Sequence, residues 1–180
     1  GVAFPRTPAT GENMFYGEWL TNAQGEDVVA GIRTPNPLNE ETKTQNTKNL
    51  TSLESSMPEL YQQLSDIRMK LELHYKDMQD IEFTIEEGRL WMLQTRIGKR
   101  NGAAAIKMAV DMASEGMIDK KTALIRVRPN QLDELLHPML NAESEKSATL
   151  LAKGLPAGPG AAAGRLVFTA YDAETWHKRG

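Results

Sequence analysis

The sequence predicts an α+β protein with antiparallel strands and a long helix. Three patterns predict it: strand-like alternation at 80–96, an apolar stripe at helical spacing between 56 and 75, and a strand-free helical pattern from 101 to 150. The formal net charge over 180 residues is −3, and no apolar run approaches the roughly 20 residues that span a bilayer. We therefore expect neither nucleic acid nor membrane as a partner. Without cysteine, disulfides and thiolate metal sites are excluded.

Short strands are expected in the first third of the chain. Residues 2–4 are strand-like, and a loop punctuated by Pro8 and Gly11 follows. Two further strands are predicted at 14–21 and 27–32. Residues 36–56 are polar and poor in apolar side chains, which predicts an exposed, mobile insertion.

A long helix should follow this segment. Ser56 and Glu59 have capping-box spacing, with Pro58 in the first turn. Apolar residues then recur every three or four positions and give one apolar stripe: Leu60, Leu64, Ile67, Leu71 and Tyr75.

Residues 80–96 are predicted to form a β-hairpin whose register depends on its turn. A two-residue turn at Glu87-Gly88 would pair Ile85 with Leu90 and put Glu82 and Gln94 on opposite faces. A three-residue loop pairs Phe83 with Trp91 instead, and we prefer it because the other register would bury charge and expose tryptophan. The preferred register gives an apolar face of Ile81, Phe83, Ile85, Trp91 and Leu93, and a polar face of Asp80, Glu82, Gln94 and Arg96.

Helices are predicted after the hairpin. The first covers 103–115 and ends at Gly116, with one apolar face formed by Ile106, Ala109, Val110 and Ala113. Asp119 should cap a helix through 126, and Asn130 another over 131–136. The Gly/Ala/Pro-rich residues 154–164 predict a hinge-like loop, followed by a strand at 165–169 and a helix from 173. Both ends look cut from a longer protein.

The polar hairpin face is the strongest candidate site. Acid and amide oxygens such as those of Glu82 and Gln94 suit magnesium, which takes few carboxylates plus substrate phosphates. A neighbouring guanidinium, Arg96, can stabilise a phosphoryl group in transfer. A solvated sheet face with a cross-strand Asp80–Arg96 pair is the alternative, and the pattern alone leaves both open.

Other candidates are weaker. Glu18 lies among apolar neighbours and could be a ligand or a paired structural acid. The 154–164 loop lacks the Lys-Ser/Thr of a P-loop and precedes a predicted strand, so we interpret it as a linker. The histidines His74, His137 and His177 show no metal-binding spacing.

Several segments resemble pyruvate, phosphate dikinases: GVAF at 1–4, NAQGEDVVAGIRTP at 22–35, MQDIEFT at 78–84, LQTR at 93–96, and the loop at 154–164. The resemblance covers nearly the whole chain except 36–56. It implies a partial ATP-grasp nucleotide-binding domain over 1–100, a helical linker over 101–150, and over 151–180 the start of a swivelling phosphohistidine domain, truncated before its catalytic histidine. In this family ATP, phosphate and pyruvate give AMP, pyrophosphate and phosphoenolpyruvate.

The resemblance also assigns roles. Glu82 and Gln94 would hold magnesium and the phosphates of ATP, Arg96 would be catalytic through contact with the transferring phosphates, and Glu18 and Asp80 would line the ATP cleft. It implies a homodimeric parent enzyme in the cytoplasm, chloroplast or glycosome, and an isolated fragment without activity. A phosphoenolpyruvate synthase-type dikinase and a non-catalytic helical interaction module are the alternatives.

Overall fold

The computed structural model describes residues 1–23, 34–137, 140–141, 147–152, 161, 163–164 and 166–179. The predicted strand at 27–32 and most of the predicted hinge lie outside them. The elements in chain order are β1 Val2–Phe4, β2 Tyr16–Trp19, β3 Asn36–Pro37, α1 Leu53–Ser56, α2 Pro58–Tyr75, β4 Gln79–Glu86, β5 Arg89–Ile97, α3 Gly102–Ser114, α4 Lys120–Arg126, α5 Pro129–Leu136 and α6 Ala170–Arg179. The α+β prediction is confirmed.

The strands form one antiparallel sheet in the order β3-β2-β1-β4-β5. Helix α2 covers one face, where alternate strand residues and α2 form the main core: Ala3, Phe15, Trp19, Leu38, Leu53, Leu64, Ile81 and Phe83. A second cluster joins the start of β4 to α3 through Met78, Ala104, Met108, Met112 and Ile118. The chain divides into two compact units, Gly1–Leu132 and Asp133–Gly180. Among the described residues no helix is long and apolar enough to cross a membrane.

The hairpin turn is the two-residue one, so the preferred three-residue loop is wrong. Glu87 and Gly88 both have positive φ, +49° and +72°, and Ile85 pairs with Leu90. This turn matches the right-handed twist of the flanking strands. If side chains alternated regularly along both strands from this turn, Glu82 and Gln94 would lie on opposite faces of the sheet.

A β-bulge restores that pairing. Phe83 lies opposite Met92, whereas Glu82 lies opposite Gln94, so Leu93 is the extra residue on β5. The polar face is therefore formed as predicted. The predicted apolar face is wrong on β5, because Trp91 lies opposite Thr84 on the polar face and both Trp91 and Leu93 are exposed.

The 36–56 segment is tied to the core at both ends, so its predicted exposure is wrong there. Leu38 and Leu53 are completely buried, and Asn39 donates a hydrogen bond to the carbonyl oxygen of Phe15 at 2.7 Å. Pro37 pairs with Glu18 at the sheet edge. Two apolar residues are enough to anchor this segment to the core, because one lies near each of its ends. The predicted mobility stays a prediction.

Helix boundaries are predicted better than helix caps. Pro58 lies in the first turn of α2 as predicted, but the predicted cap Ser56 ends α1 and Met57 precedes α2 without a capping side chain. Ser52 caps the short helix α1 by accepting from the Ser55 amide at 3.1 Å. Asp119 caps α4 as predicted, accepting from the Thr122 amide at 2.6 Å.

The remaining helices need small corrections. Helix α3 begins one residue before the prediction, because Asn101 caps it, and Gly116 follows its end with a positive φ of +73°. Val110 is exposed, since α3 buries Met108 and Met112 instead. Helix α5 begins at Pro129, so Asn130 is not its cap.

The described part of the second unit contains α6. This helix begins at Ala170, earlier than predicted, because the Thr169 hydroxyl accepts from the Asp172 amide at 3.1 Å. The predicted strand at 165–169 is wrong for its described residues, 166–169, which form no strand.

Candidate functional site

Backbone pairing builds one continuous row of residues across the sheet. In register, Pro37 lies opposite Glu18, Glu18 opposite Val2, Val2 opposite Glu82, and Glu82 opposite Gln94. Directly opposed residues share a face of an antiparallel sheet. Glu18, Glu82 and Gln94 therefore share one face, and α2 packs against the other.

The Asp80–Arg96 pair forms the neighbouring row. Arg96 donates from Nε to Oδ2 of Asp80 at 2.8 Å, and its Nη2 lies 3.8 Å from Oε1 of Glu82. The Asp80 side chain is 9% exposed and that of Arg96 53% exposed. A nearly buried carboxylate thus holds a solvent-facing guanidinium in place. The hydrogen bond from Arg96 to Asp80, and then the charge of Asp80, raise the pKa of Arg96, which stays positively charged.

Glu18 lies farther from this group. Val2 separates it from Glu82, which puts their backbones about 10 Å apart at the usual strand spacing. The Tyr16 hydroxyl donates to Oε1 of Glu18 at 3.5 Å, and burial, followed by the charge of Glu18, raises the pKa of Tyr16. Asp80, Glu82, Gln94 and Arg96 are thus brought together, and Glu18 lines the same face at a distance.

The oxygen atoms of this face suit a cation only if further ligands, such as water and phosphate, complete its coordination. Among the described residues, no three His, Cys, Asp or Glu side chains are grouped to hold a metal ion. Glu82 and Gln94, directly opposed and outside the buried core, present two hard oxygen donors on an open face. Magnesium accepts such an incomplete set when water and phosphate oxygens complete its octahedron. The geometry therefore suits a magnesium-phosphate complex better than a bare metal ion.

Trp91 was missed as a residue of this face. The prediction placed it on the buried side, whereas it lies opposite Thr84, next to the Glu82–Gln94 row, and is 50% exposed. Gly88 was the available signal, since glycine readily adopts the positive φ of the second position in a two-residue turn, and that turn gives this register.

A family model matches the part of the chain that contains most of the candidate site residues. Residues 37–117 match the family model described as the pyruvate phosphate dikinase AMP/ATP-binding domain. This range contains Asp80, Glu82, Gln94 and Arg96 but not Glu18. It also includes 37–56, so the expectation that the resemblance skips 36–56 is wrong.

Relatives match the whole chain. It is 54% identical over 180 residues to the chloroplastic pyruvate, phosphate dikinase of Flaveria pringlei, 53% to pyruvate, phosphate dikinase 2 of Oryza sativa subsp. japonica, and 51% to the pyruvate, phosphate dikinase of Clostridium symbiosum. Each alignment covers 100% of this chain and 18%, 19% and 19% of the relative, respectively. The chain thus spans less than a fifth of the length of the curated relatives it matches. Over its whole length it is similar to one part of these pyruvate, phosphate dikinases.

Proposed function

We propose that this chain supplies one wall of the magnesium-ATP site of a pyruvate, phosphate dikinase. The observation that carries the proposal is the shared sheet face of Asp80, Glu82, Gln94 and Arg96, inside the range matched by an AMP/ATP-binding domain model. The parent enzyme would convert ATP, phosphate and pyruvate to AMP, pyrophosphate and phosphoenolpyruvate. The relatives are named pyruvate, phosphate dikinases, which supports this reaction.

Each side chain has a distinct role in this proposal. The Glu82 carboxylate and the Gln94 amide oxygen hold the cation and orient the phosphates. Magnesium, when bound, neutralises phosphate charge and fixes phosphate geometry. Arg96 stabilises the charge that develops on the transferred phosphoryl group. Asp80 positions Arg96, since its carboxylate accepts from Nε, while Nη2 lies 3.8 Å from Glu82.

Glu18 completes the row toward the other side of the sheet. Its carboxylate lies on the same face as Glu82, separated by one strand. At that distance it suits a polar group of the nucleotide outside the phosphates, or the cleft wall. We assign it to cleft lining and not to phosphoryl transfer.

We propose the domain boundaries that the family resemblance implies. Residues 1–100 would be the C-terminal part of an ATP-grasp domain, 101–150 a helical linker, and 151–180 the start of a swivelling phosphohistidine domain. The loop at 154–164 would act as its hinge. A phosphorylated histidine beyond this chain would carry the phosphoryl group between the ATP and pyruvate sites.

The decisive experiment separates the half-reactions of the full-length enzyme. In Arg96→Ala, the ATP half-reaction should slow by about 10²- to 10³-fold, the usual loss when an aligned charge-stabilising donor is removed. Exchange between pyruvate and phosphoenolpyruvate should stay near the wild-type rate, because it uses another site. Glu82→Ala should show the same split and an increased magnesium requirement.

Arg89→Ala is the matched control. Arg89 is an exposed arginine of the same strand, opposite Glu86 near the hairpin turn. Its replacement should leave both half-reactions unchanged. A wild-type ATP half-reaction in Arg96→Ala, or equal loss in Arg89→Ala, would contradict the assignment.

The two alternatives are less well supported. A synthase-type dikinase would show an ATP half-reaction that does not depend on inorganic phosphate. A non-catalytic interaction module would leave the full-length protein without phosphoryl transfer. The dikinase names of the relatives and the AMP/ATP-binding family model favour neither.

We further propose that the partners are ATP, phosphate, pyruvate and a second copy of the parent enzyme, without nucleic acid or membrane. Relatives named chloroplastic and a bacterial relative support a chloroplast or cytoplasmic location for this protein. A glycosomal location has no such support.

A further inference from the structure

An exposed tryptophan shares the candidate nucleotide face. Trp91 is directly opposite Thr84, and Thr84 is the next residue after Glu82 on the same face of β4. The indole is 50% exposed, although burial of its large apolar ring would be favourable. It therefore presents an aromatic surface beside the Glu82–Gln94 row, on the candidate nucleotide face.

Three successive rows define a direction along the face. The first row is Asp80–Arg96, the second Glu82–Gln94 and the third Thr84–Trp91. Four residues of β4 separate the first row from the third, which is about 13 Å at ordinary strand rise. The chemistry changes along this line from a guanidinium, through cation-binding oxygens, to an aromatic ring.

A nucleoside triphosphate has the same order and a similar span. Its terminal phosphate, its metal-bridged phosphates and its base follow one another along an extended molecule. A purine ring stacks favourably on an aromatic side chain, and a tryptophan presents the largest such surface. We propose that Trp91 forms the stacking surface for the adenine base of the bound nucleotide, an inference that rests on the function proposed above.

The bulge at Leu93 makes this arrangement possible. Without the extra residue, Trp91 and Gln94 would lie on opposite faces, because three positions separate them on a strand whose side chains alternate. With it, both lie on the open face. One insertion thus puts a base-binding side chain and a cation-binding side chain into one cleft.

The test measures two ligands on the full-length enzyme. Isothermal titration gives the Kd of magnesium-ATP, which has a base, and of magnesium-tripolyphosphate, which has none. Trp91→Leu, apolar but not aromatic, should raise the Kd for ATP by about tenfold, whereas Trp91→Phe should raise it by less than about threefold. Neither variant should change the Kd for tripolyphosphate.

Met92→Ala is the matched control. Met92 is the next residue on β5, is 39% exposed and lies on the other face, opposite Phe83. It should bind both ligands as the wild type does. Indole fluorescence gives a second readout, since ATP but not tripolyphosphate should quench a component that Trp91→Phe removes.

The outcomes separate this inference from the proposed function. Wild-type ATP affinity in Trp91→Leu, together with weakened binding of both ligands in Arg96→Ala, overturns the role of Trp91 alone. Equal loss of ATP and tripolyphosphate affinity in Trp91→Leu also overturns it, because the indole would then support the protein and not the base. No binding of either ligand by the wild type overturns both proposals.

Discussion

Replacing Arg6 by methionine would remove a guanidinium that is completely buried. Arg6 donates from Nε to Glu72 of α2 at 2.8 Å, and from Nη1 and Nη2 to both carboxylate oxygens of Glu115, at 3.1 and 2.6 Å. Glu115 directly follows α3, so one side chain after β1 connects two helices to the sheet. Methionine keeps an unbranched apolar stem that ends near the position of Nε, so it removes the charge and the hydrogen bonds of the guanidinium while retaining the packing of the stem.

The exposures of the two partners determine the expected cost. The Glu72 side chain is 11% exposed and would be left as a nearly buried charge, whereas that of Glu115 is 38% exposed and can be hydrated. Breaking a buried pair costs roughly 3–5 kcal/mol. Arg68, one turn before Glu72 on α2, supplies partial countercharge. We therefore expect Arg6→Met to lower the unfolding free energy by about 3 kcal/mol, near the low end of that range.

Urea unfolding followed by the fluorescence of Trp19 measures this change. Trp19 lies in the main core, and a Trp91→Phe, Trp176→Phe background leaves it as the sole tryptophan. Adding Glu72→Met to Arg6→Met should recover about 1–2 kcal/mol, because the stranded charge is removed as well. A loss below about 1 kcal/mol in the single variant, or a double variant no more stable than Arg6→Met, would refute the reasoning.

The same network predicts a dependence on pH. The hydrogen bond from Arg6 lowers the pKa of Glu115, although partial burial opposes the shift. Stabilisation from Glu115 is therefore complete above its ordinary pKa of 4.5 and is lost as the pH falls through the lowered value. Unfolding curves from pH 6 downward, at about half-unit steps, should show this component in the wild type and lack it in Arg6→Met.

Three further predictions concern single elements. Gly88→Ala should destabilise the hairpin by about 1 kcal/mol in urea, because φ is positive while no atom obstructs the new Cβ; Glu87→Gly should be neutral or stabilising, and equal losses would contradict the turn geometry. Leu64→Ala should cost about 3 kcal/mol of unfolding free energy, whereas Leu73→Ala on the exposed side of α2 should stay within roughly 0.5 kcal/mol; the reverse order would mean that α2 packs through another face. Asp119→Ala should speed amide exchange in the first turn of α4 without changing exchange in α3. The hydrogen bond from the Thr122 amide lowers the pKa of Asp119. The wild type should therefore show the same faster exchange once the pH falls through that lowered pKa.

Local signals predicted much of the fold. Pro58, Asp119 and Gly116 act within one helical turn, so their positions alone predicted where α2 and α4 begin and where α3 ends. Ser56 and Ser52 show the limit of such signals. Ser56 has capping spacing for α2 but ends the short helix α1, which Ser52 caps, and Met57 precedes α2 without a capping side chain.

The burial of Arg6 and of the ends of the 36–56 segment was not predicted, because it depends on residues far away in the sequence. A polar segment with few apolar residues resembles an exposed insertion, yet Leu38 and Leu53 fill core positions. Arg6 resembles a surface residue of a Pro/Gly loop, yet its partners Glu72 and Glu115 are 66 and 109 residues away. Long-range partners change the burial of a residue without leaving a trace in its neighbourhood.

The sequence by itself determined the chemistry of the candidate site. Alternation with a period of two grouped Asp80 with Glu82 and Gln94 with Arg96, because neighbouring side chains on a strand must point to opposite faces. Only the tertiary structure decided how those pairs meet. The Glu87-Gly88 turn and the bulge at Leu93 set the register, and β1 brought Glu18 into the row of Glu82. Pairing between strands is a non-local choice. The two-residue turn put Trp91 on the polar face, and the bulge at Leu93 returned Gln94 and Arg96 to that same face.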